Sequence, residues 1–386
     1  MKFAQRLQAP KSSPWPMMAQ LIRAKEAEGV KVIRLSTGDP DLPTPPAVVE
    51  KLRQSALDPF YHRYPFSFQT GLAGAMATWY RRRFGVELDP HSEIAPLAGS
   101  LEGIGCVGLA VMEPGALALV PDPAFSSYVR SVEFAGGSVY PLPLRPEAGY
   151  LPDLAAIPAE VLAQARLLWL NYPNNPTGAV APPAFFEEVV AFARRHQLLV
   201  CHDNAYSEIS FDGYVAPSFL ETPGAKEVGI ELNTLSKAFN MAGWRVGMVA
   251  GNAAAVAAVS QASSNTNLGL FGPVQLAAIE ALTGDQSWAA ERTQIYQERR
   301  DLVVEGLRAI GLELESPKAT LYIWARLPAG YSDSLEFCKL LLAQAGVWFT
   351  PGIFYGQAGE GHLRASLTLP TEMLREAMER LQAVKL

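Results

Sequence analysis

Five short runs of nearly unbroken apolar character constrain this chain more than any other feature: "ALALV" at 116–120, "RLLWL" at 166–170, "LLVCH" at 198–202, "IELNTL" at 230–235 and "RVGMVAG" at 245–251. A strand with one wet face alternates apolar and polar residues, whereas a strand covered on both faces does not. Between and before these runs lie segments with helical spacing of apolar residues, at 46–57, 73–84, 101–112, 126–134, 183–196 and 253–262. Strands that alternate with helices need crossover connections. The expected fold class is therefore α/β, with a mostly parallel sheet covered by helices on both sides. In such a sheet ligands gather at the carboxyl ends of the strands, so chemistry should be sought in the residues just after each run.

The pattern changes beyond residue 286. The segment 287–311, "SWAAERTQIYQERRDLVVEGLRAIG", reads as a long amphipathic helix with Trp288, Ile295, Leu302, Val303, Leu307 and Ile310 on its buried side. It is followed by "ATLYIWARLP", a helix capped at Ser332 or Asp333, "VWFTPG", "HLRASL" and a last helix from Thr371, the pattern of a smaller α+β unit. The expected division is an N-terminal arm with part of the small unit at 1–45, a large domain at 46–285 and a small C-terminal domain at 286–386. A chain of 386 residues with 49% hydrophobic and 18% charged residues has ample material for two cores.

The charge balance, 32 Lys+Arg against 38 Asp+Glu, gives a net charge of −6, and the densest basic cluster is the short "RRRF" at 81–84. No nucleic acid partner is expected. Cys106, Cys201 and Cys338 are odd in number and each lies in an apolar segment, which suits buried thiols in a reducing compartment. No stretch has the length and apolarity of a secretory leader or a membrane span, so the expectation is a cytoplasmic protein with no membrane partner.

Gly103, Gly105 and Gly108 in "GIGCVG" match the dinucleotide pattern G-x-G-x-x-G, with Asp122 downstream as a ribose ligand. That fingerprint needs its first glycine directly after a strand. Here Pro96 interrupts the candidate strand and the glycines fall inside a helix, where close packing explains them. Gly99 and Ser100 sit instead at a strand-to-helix junction, whose free N–H groups favour a phosphate; a simple helix cap at Ser100 is the alternative.

Four further strand ends each carry an unusual polar group. "NYPNNPTG" brings Asn175, which could be no more than part of a turn. "CHDNAY" brings Asp203, a possible cap, with Tyr206 three residues on. "TLSKAFNMAGWR" brings Ser236, Lys237 and Arg245, and "HLRASL" brings Arg364 among apolar neighbours. A lone lysine usually points at water. A phosphorylated pyridine aldehyde, however, requires an amine, an anion site, an acid for its ring nitrogen and a donor for its phenolate, and these residues supply them all. The expected cofactor is pyridoxal 5'-phosphate. The HExxH and GxxxxGK[ST] motifs of zinc hydrolases and P-loop enzymes are absent.

Over nearly its full length, and in motif order, the chain resembles the class I/II aminotransferases of pyridoxal phosphate fold type I. The stretches "STGDPDLPTP", "HRYP", "HDNAYSEISFDGY", "PSFLE", "GAKEVGIELNTLSKAFNMAGWRVG" and "GEGHLRASL" are most similar to the group with LL-diaminopimelate and aspartate-type enzymes. The resemblance implies an enzyme that moves an amino group between an L-amino acid and a 2-oxo acid, possibly LL-diaminopimelate or aspartate with 2-oxoglutarate as acceptor. Lys237 would bind the cofactor aldehyde and move the α-proton, Asp203 would pair with the ring nitrogen, and Tyr206 and Asn175 would bond the ring oxygen. Gly99, Ser100, the Leu101 amide, Ser236 and Arg245 would hold the phosphate, and Phe125 would stack on the ring. Arg364 would grip the substrate α-carboxylate with the Gly38 amide and Asn175. Tyr64 would reach the phosphate of a neighbouring subunit, implying a homodimer with shared sites. A fold type I carbon–sulfur β-lyase and a non-catalytic cofactor-binding regulator share the cofactor residues and are the alternatives. Two departures stand out: Leu101 replaces a polar residue, often lysine in the diaminopimelate group, and Gly71 lies later than usual after Tyr64.

Overall fold

A computed structural model of the chain describes residues 14–65 and 70–386. In chain order its strands are β1 (Ile33–Arg34), β2 (Ile94–Leu97), β3 (Leu117–Asp122), β4 (Ser138–Pro143), β5 (Ala165–Leu170), β6 (Leu199–Asp203), β7 (Gly229–Thr234), β8 (Gly247–Gly251), β9 (Tyr322–Arg326), β10 (Val347–Trp348), β11 (Thr350–Pro351) and β12 (His362–Ser366). Seven of them form one sheet in the order β2-β8-β7-β6-β5-β3-β4, in which β8 runs antiparallel to both its neighbours and the remaining pairings are parallel. The α/β class and the mostly parallel sheet follow the expectation from the apolar runs.

Residue parity explains why apolar residues fall at successive positions of those runs. Leu167, Trp169, Cys201, Ile230, Leu232 and Val249 pack on one side of the sheet with Ile104 and Val107 of the helix Ser100–Val111. Leu168, Leu170, Val200, Met248 and Ala250 pack on the other with Phe185, Phe186 and Val189 of the helix Pro183–His196. The edge strands obey a different rule. β2 carries Pro96 and β4 carries Pro141 and Pro143, residues without an N–H that a sheet tolerates at its margins. Pro96 therefore lies within the strand and does not interrupt it, contrary to the expectation.

A third core gathers β9, β12 and the C-terminal helices around Val303, Leu307, Ile323, Leu341, Trp348 and Leu374, and also takes in Ile22, Ile33, Leu35, Tyr206 and Phe211. β11, β12 and β9 form an antiparallel sheet there, and β1 pairs with β10 in parallel. Asp333 caps the helix Ser334–Ala345 through Leu335 N and Glu336 N at 3.0 and 2.9 Å, deciding between the two expected caps.

The long helix, Trp288–Ala309, corrects the expected apolar stripe. Its buried face is Arg292, Tyr296, Arg299, Arg300, Val303, Val304, Gly306 and Leu307, while Trp288, Ile295, Leu302 and Ile310 are only half-buried. The arginines are buried because each finds acceptors. Arg292 donates to the carbonyls of Ala238 and Glu208, Arg299 to Asp41 at 2.7 and 3.0 Å and to Leu367 O, and Arg300 to Asp212 and Pro317 O. This one helix thus braces the segments that follow Lys237, Tyr206 and Gly38. The helix Gly272–Thr283 was not expected from the sequence; its buried Gly272, Ala277, Ala278 and Ala281 allow close packing and leave little amphipathic signal.

Candidate active site

Three strand ends meet at one level of the large sheet because Gly247, at the start of β8, lies in register with both Leu97 of β2 and Thr234 of β7. That register gathers Gly99 and Ser100, Ser236 and Lys237, and Arg245 around a single sheet end. Gly99 has φ +84°, and a Cβ there would run into the Arg245 guanidinium. A Cβ on Gly247 would come within 2.7 Å of Ser100 N. Arg245 itself sits in the left-handed region at φ 56°, a strained position for a side chain, which aims its guanidinium at the Gly99 backbone. No side chain caps the Ser100–Val111 helix at Gly99, so the free N–H groups that open it face this arginine. Gly103, Gly105 and Gly108 do lie inside that helix. Gly103 meets Leu97 and Leu232, and Gly108 meets Ser131 O, so packing accounts for two of the three.

Thr234 caps the short turn Leu235–Ala238 by accepting from Ser236 N at 3.1 Å. The turn carries Lys237 to the Gly38 carbonyl, to which its Nζ donates. Among the described residues Lys237 pairs with no carboxylate.

Asp203 ends β6 and is buried, with Oδ2 accepting from Tyr128 Oη at 2.7 Å and Oδ1 without a partner. Burial pushes its carboxyl up to about 6, against the opposing hydrogen bond from Tyr128. Tyr128 stacks on Trp169 with ring centroids 4.8 Å apart, and Phe125, three residues earlier, meets it edge-on at 5.8 Å. Asn171, at the end of β5, donates to Asp203 O at 2.7 Å and accepts from Asn175 N at 2.8 Å, tying two strand ends together.

Arg364 on β12 is 5% exposed yet has no acidic partner. Its Nη1 donates to Asn175 Oδ1 at 2.9 Å and its Nη2 to Ser36 O at 2.8 Å, while Nε has no partner. A buried guanidinium without a carboxylate is costly unless an anion completes it. The Tyr322 ring lies 3.9 Å from its Cζ and that of Tyr355 5.1 Å, and Tyr322 Oη is 3.1 Å from Tyr206 Oη.

Lys237, Gly38, Asp203, Tyr206, Asn175, Arg364, Gly99, Ser100, Ser236 and Arg245 thus form one region, with Phe125 joined to it through Tyr128. Leu101 follows them in the first helical turn with an exposed side chain, and Tyr64 lies on an exposed loop. The loop's remainder, 66–69, and the first 13 residues of the expected 1–45 segment lie outside the described residues. Sequence reading missed Tyr128 and Tyr322. The available signals were the spacing of three from Phe125 at the start of a helix and the parity of Tyr322 with Trp324, which stands opposite Arg364.

The family model for aminotransferase class I and II matches residues 30–381. The chain belongs to this family. As a class I and II aminotransferase it is an enzyme that transfers amino groups and depends on pyridoxal phosphate, in preference to the lyase and regulator alternatives. The LL-diaminopimelate aminotransferase of Moorella thermoacetica is 50% identical over 376 residues, covering 96% of each chain. The substrate-bound BacF structure from Bacillus subtilis superimposes with a TM-score of 0.93 at 39% identity, covering 99% of this chain and 97% of that one. A probable N-succinyldiaminopimelate aminotransferase from Thermus thermophilus gives a TM-score of 0.91 at 37% identity, covering 97% and 100%. Among the described residues of this aminotransferase no helix is long and apolar enough to cross a membrane, and all three cysteines are buried and free.

Proposed function

We propose that this aminotransferase takes its amino group from LL-diaminopimelate and passes it to 2-oxoglutarate in the cytoplasm. The observation that carries the substrate choice is the 50% identity to an LL-diaminopimelate aminotransferase across 96% of both chains. When bound, pyridoxal phosphate supplies the electron sink that lets a proton leave the substrate α-carbon. The residues present fit that group: a buried acid with one free oxygen, a helix N-terminus facing an arginine, and a lysine without an acid.

Lys237 Nζ is the amine that holds the aldehyde and then moves the α-proton. Asp203 would hold the ring nitrogen, with its unpartnered Oδ1 available to it, and Tyr206 and Asn175 would hold the ring oxygen. Arg245, Ser236, Gly99, Ser100 and the Leu101 amide would hold the phosphate, and Phe125 would stack on the ring. Arg364 clamps the α-carboxylate beside Gly38, which would satisfy its unpartnered Nε. A division at 45/46 and 285/286 would put the lysine and phosphate groups on the large domain and Arg364 on the small one. Aspartate is the second candidate donor, because Thermus thermophilus aspartate aminotransferase superimposes with a TM-score of 0.92 at 30% identity. Titration of the holoenzyme's visible absorption with each amino acid decides between them. LL-diaminopimelate should bleach the band at concentrations at least tenfold below those needed for aspartate, on the order of 1.4 kcal/mol of preference. A preference for aspartate overturns the substrate choice.

The active unit is proposed to be a homodimer. Phe60, Tyr64, Leu101, Leu268 and Phe271 are exposed apolar residues, 44–62% accessible in the single chain. They are neighbours: Pro65 lies against Gly269, His62 against Phe271, and Asn267 bonds Glu102 at 3.1 Å. An apolar surface running up to the phosphate residues is what a second copy would cover. If Tyr64 serves the neighbour's phosphate, Tyr64→Phe weakens cofactor binding by roughly 1–3 kcal/mol. Subunit exchange with Lys237→Ala should then restore tight cofactor binding and activity at one site per heterodimer. Absence of recovery in the exchanged mixture rules out the shared site.

A further inference from the structure

We propose that Tyr322 is a positioning residue of the active site, whose ring seats the Arg364 guanidinium and whose hydroxyl accepts the proton of Tyr206. The inference rests on the proposed role of Tyr206 as the donor to the cofactor ring oxygen. On that reading Tyr206 has one proton and two acceptors, and Tyr322 tunes how much of it reaches the cofactor.

The placement follows from the strand pairing. Tyr322 and Trp324 of β9 face the same way as Ser366 and Arg364 of β12, their register partners, while Ile323 and Ala325 turn into the core. The Tyr322 ring therefore lies under the guanidinium, 3.9 Å from its Cζ, in the geometry of a cation–π contact. Its hydroxyl reaches past the ring edge to Tyr206 Oη at 3.1 Å and abuts the Gly38 backbone, where any side chain would displace it. The missing side chain at Gly38 thus makes room for the Tyr322 hydroxyl, while its carbonyl accepts from Lys237.

The surrounding charges decide the direction of the hydrogen bond. Tyr322 faces Arg364 from β12 and Lys237 from the Leu235–Ala238 turn, with the neutral phenol of Tyr355 beyond the arginine. Burial alone would raise the Tyr322 phenol, but Arg364, Lys237 and the bond from Tyr206 outweigh it and hold the phenol below its ordinary value. Tyr206 experiences the opposite: burial, Tyr322 and Asp203 hold its proton on, with only Arg364 opposing. The Arg364 guanidinium favours an electron-rich oxygen on Tyr322, and the Asp203 carboxylate favours the protonated form of Tyr206. The 3.1 Å contact admits either donor, and these charges favour Tyr206 as the donor and Tyr322 as the acceptor.

Two substitutions separate ring from hydroxyl, read in the holoenzyme loaded with pyridoxal phosphate. Tyr322→Phe keeps the ring and returns the Tyr206 proton wholly to the cofactor's ring oxygen, so the pH midpoint of the visible absorption band should fall by about half to one unit, with the KM for the amino acid within about twofold of wild type. Tyr322→Leu removes the ring as well, and should raise KM about tenfold for every amino acid tested. Tyr206→Phe is the control and should move the midpoint up. A midpoint that stays put or rises in Tyr322→Phe while Tyr206→Phe raises it overturns the role of Tyr322 alone. A midpoint unmoved by Tyr206→Phe overturns the reading of Tyr206 and takes the inference with it. Equal KM increases in the Phe and Leu variants would mean that the hydroxyl touches substrate directly, which also defeats the proposal.

Discussion

Lys237→Ala is expected to give a folded enzyme that keeps pyridoxal phosphate yet loses turnover by a factor on the order of 10⁴ or more, since attachment of the aldehyde and movement of the α-proton are lost together. Folding should survive because Lys237 is half-buried and its hydrogen bond goes to the Gly38 carbonyl, a half-buried loop acceptor that water can satisfy. Cofactor retention should survive because Arg245, Ser236 and the helix N-terminus at Ser100 do not depend on the lysine. The check is threefold: steady-state rate, stoichiometric cofactor after gel filtration, and borohydride reduction. Reduction should add the cofactor's mass to the wild-type chain and nothing to the variant. Turnover within tenfold of wild type would remove Lys237 from the chemistry.

Asp203→Ala should lower kcat by on the order of 10³-fold, about 4 kcal/mol, because a ring nitrogen without its acid cannot hold a proton and take up the developing charge as well. The same carboxyl makes a pH prediction for the cofactor-free protein. Its value is raised by burial from 3.8 to about 6, so the folded state binds the proton more tightly than the unfolded chain. Stability from this group is therefore greatest below about pH 4 and declines as pH rises through 6, by roughly 3 kcal/mol for two units. Relative to cofactor-free Asp203→Asn, the wild-type protein should lose stability to urea between pH 4 and 6.5. Loading the cofactor should close that gap, because a protonated ring nitrogen at Oδ1 offsets the buried charge. A gap that is flat with pH, or that persists in the holoenzyme, would show that Asp203 does not face the ring.

Both variants test residues that are legible in the amino-acid sequence, and their legibility has a common cause. Strands buried on both faces are rich in apolar residues, so polar groups just beyond their carboxyl ends draw notice: Asp203 after "LLVCH", Lys237 after "IELNTL", Asn175 after "RLLWL". What stayed illegible were polar groups whose role depends on a partner distant in sequence. Tyr128 reads as an ordinary aromatic of a short helix, yet its hydroxyl fixes one oxygen of Asp203 and leaves the other open. Arg292, Arg299 and Arg300 read as the wet face of the long helix and are its buried face, because carbonyls and carboxylates from other segments converge on them.

The sequence by itself determined the layered α/β fold, the family and the polar residues at the strand ends, because burial on two faces and the turn chemistry of each strand end are local properties of the chain. Only the tertiary structure decided that Gly247 sets Gly99, Ser236 and Arg245 at one level, that Arg364 is buried without an acid, and that Tyr322 stands between Arg364 and Tyr206. Those facts depend on strand register and on close approach between segments far apart in the chain. Hydropathy along the chain reports how far a side chain avoids water, but carries no record of which distant atom meets it there.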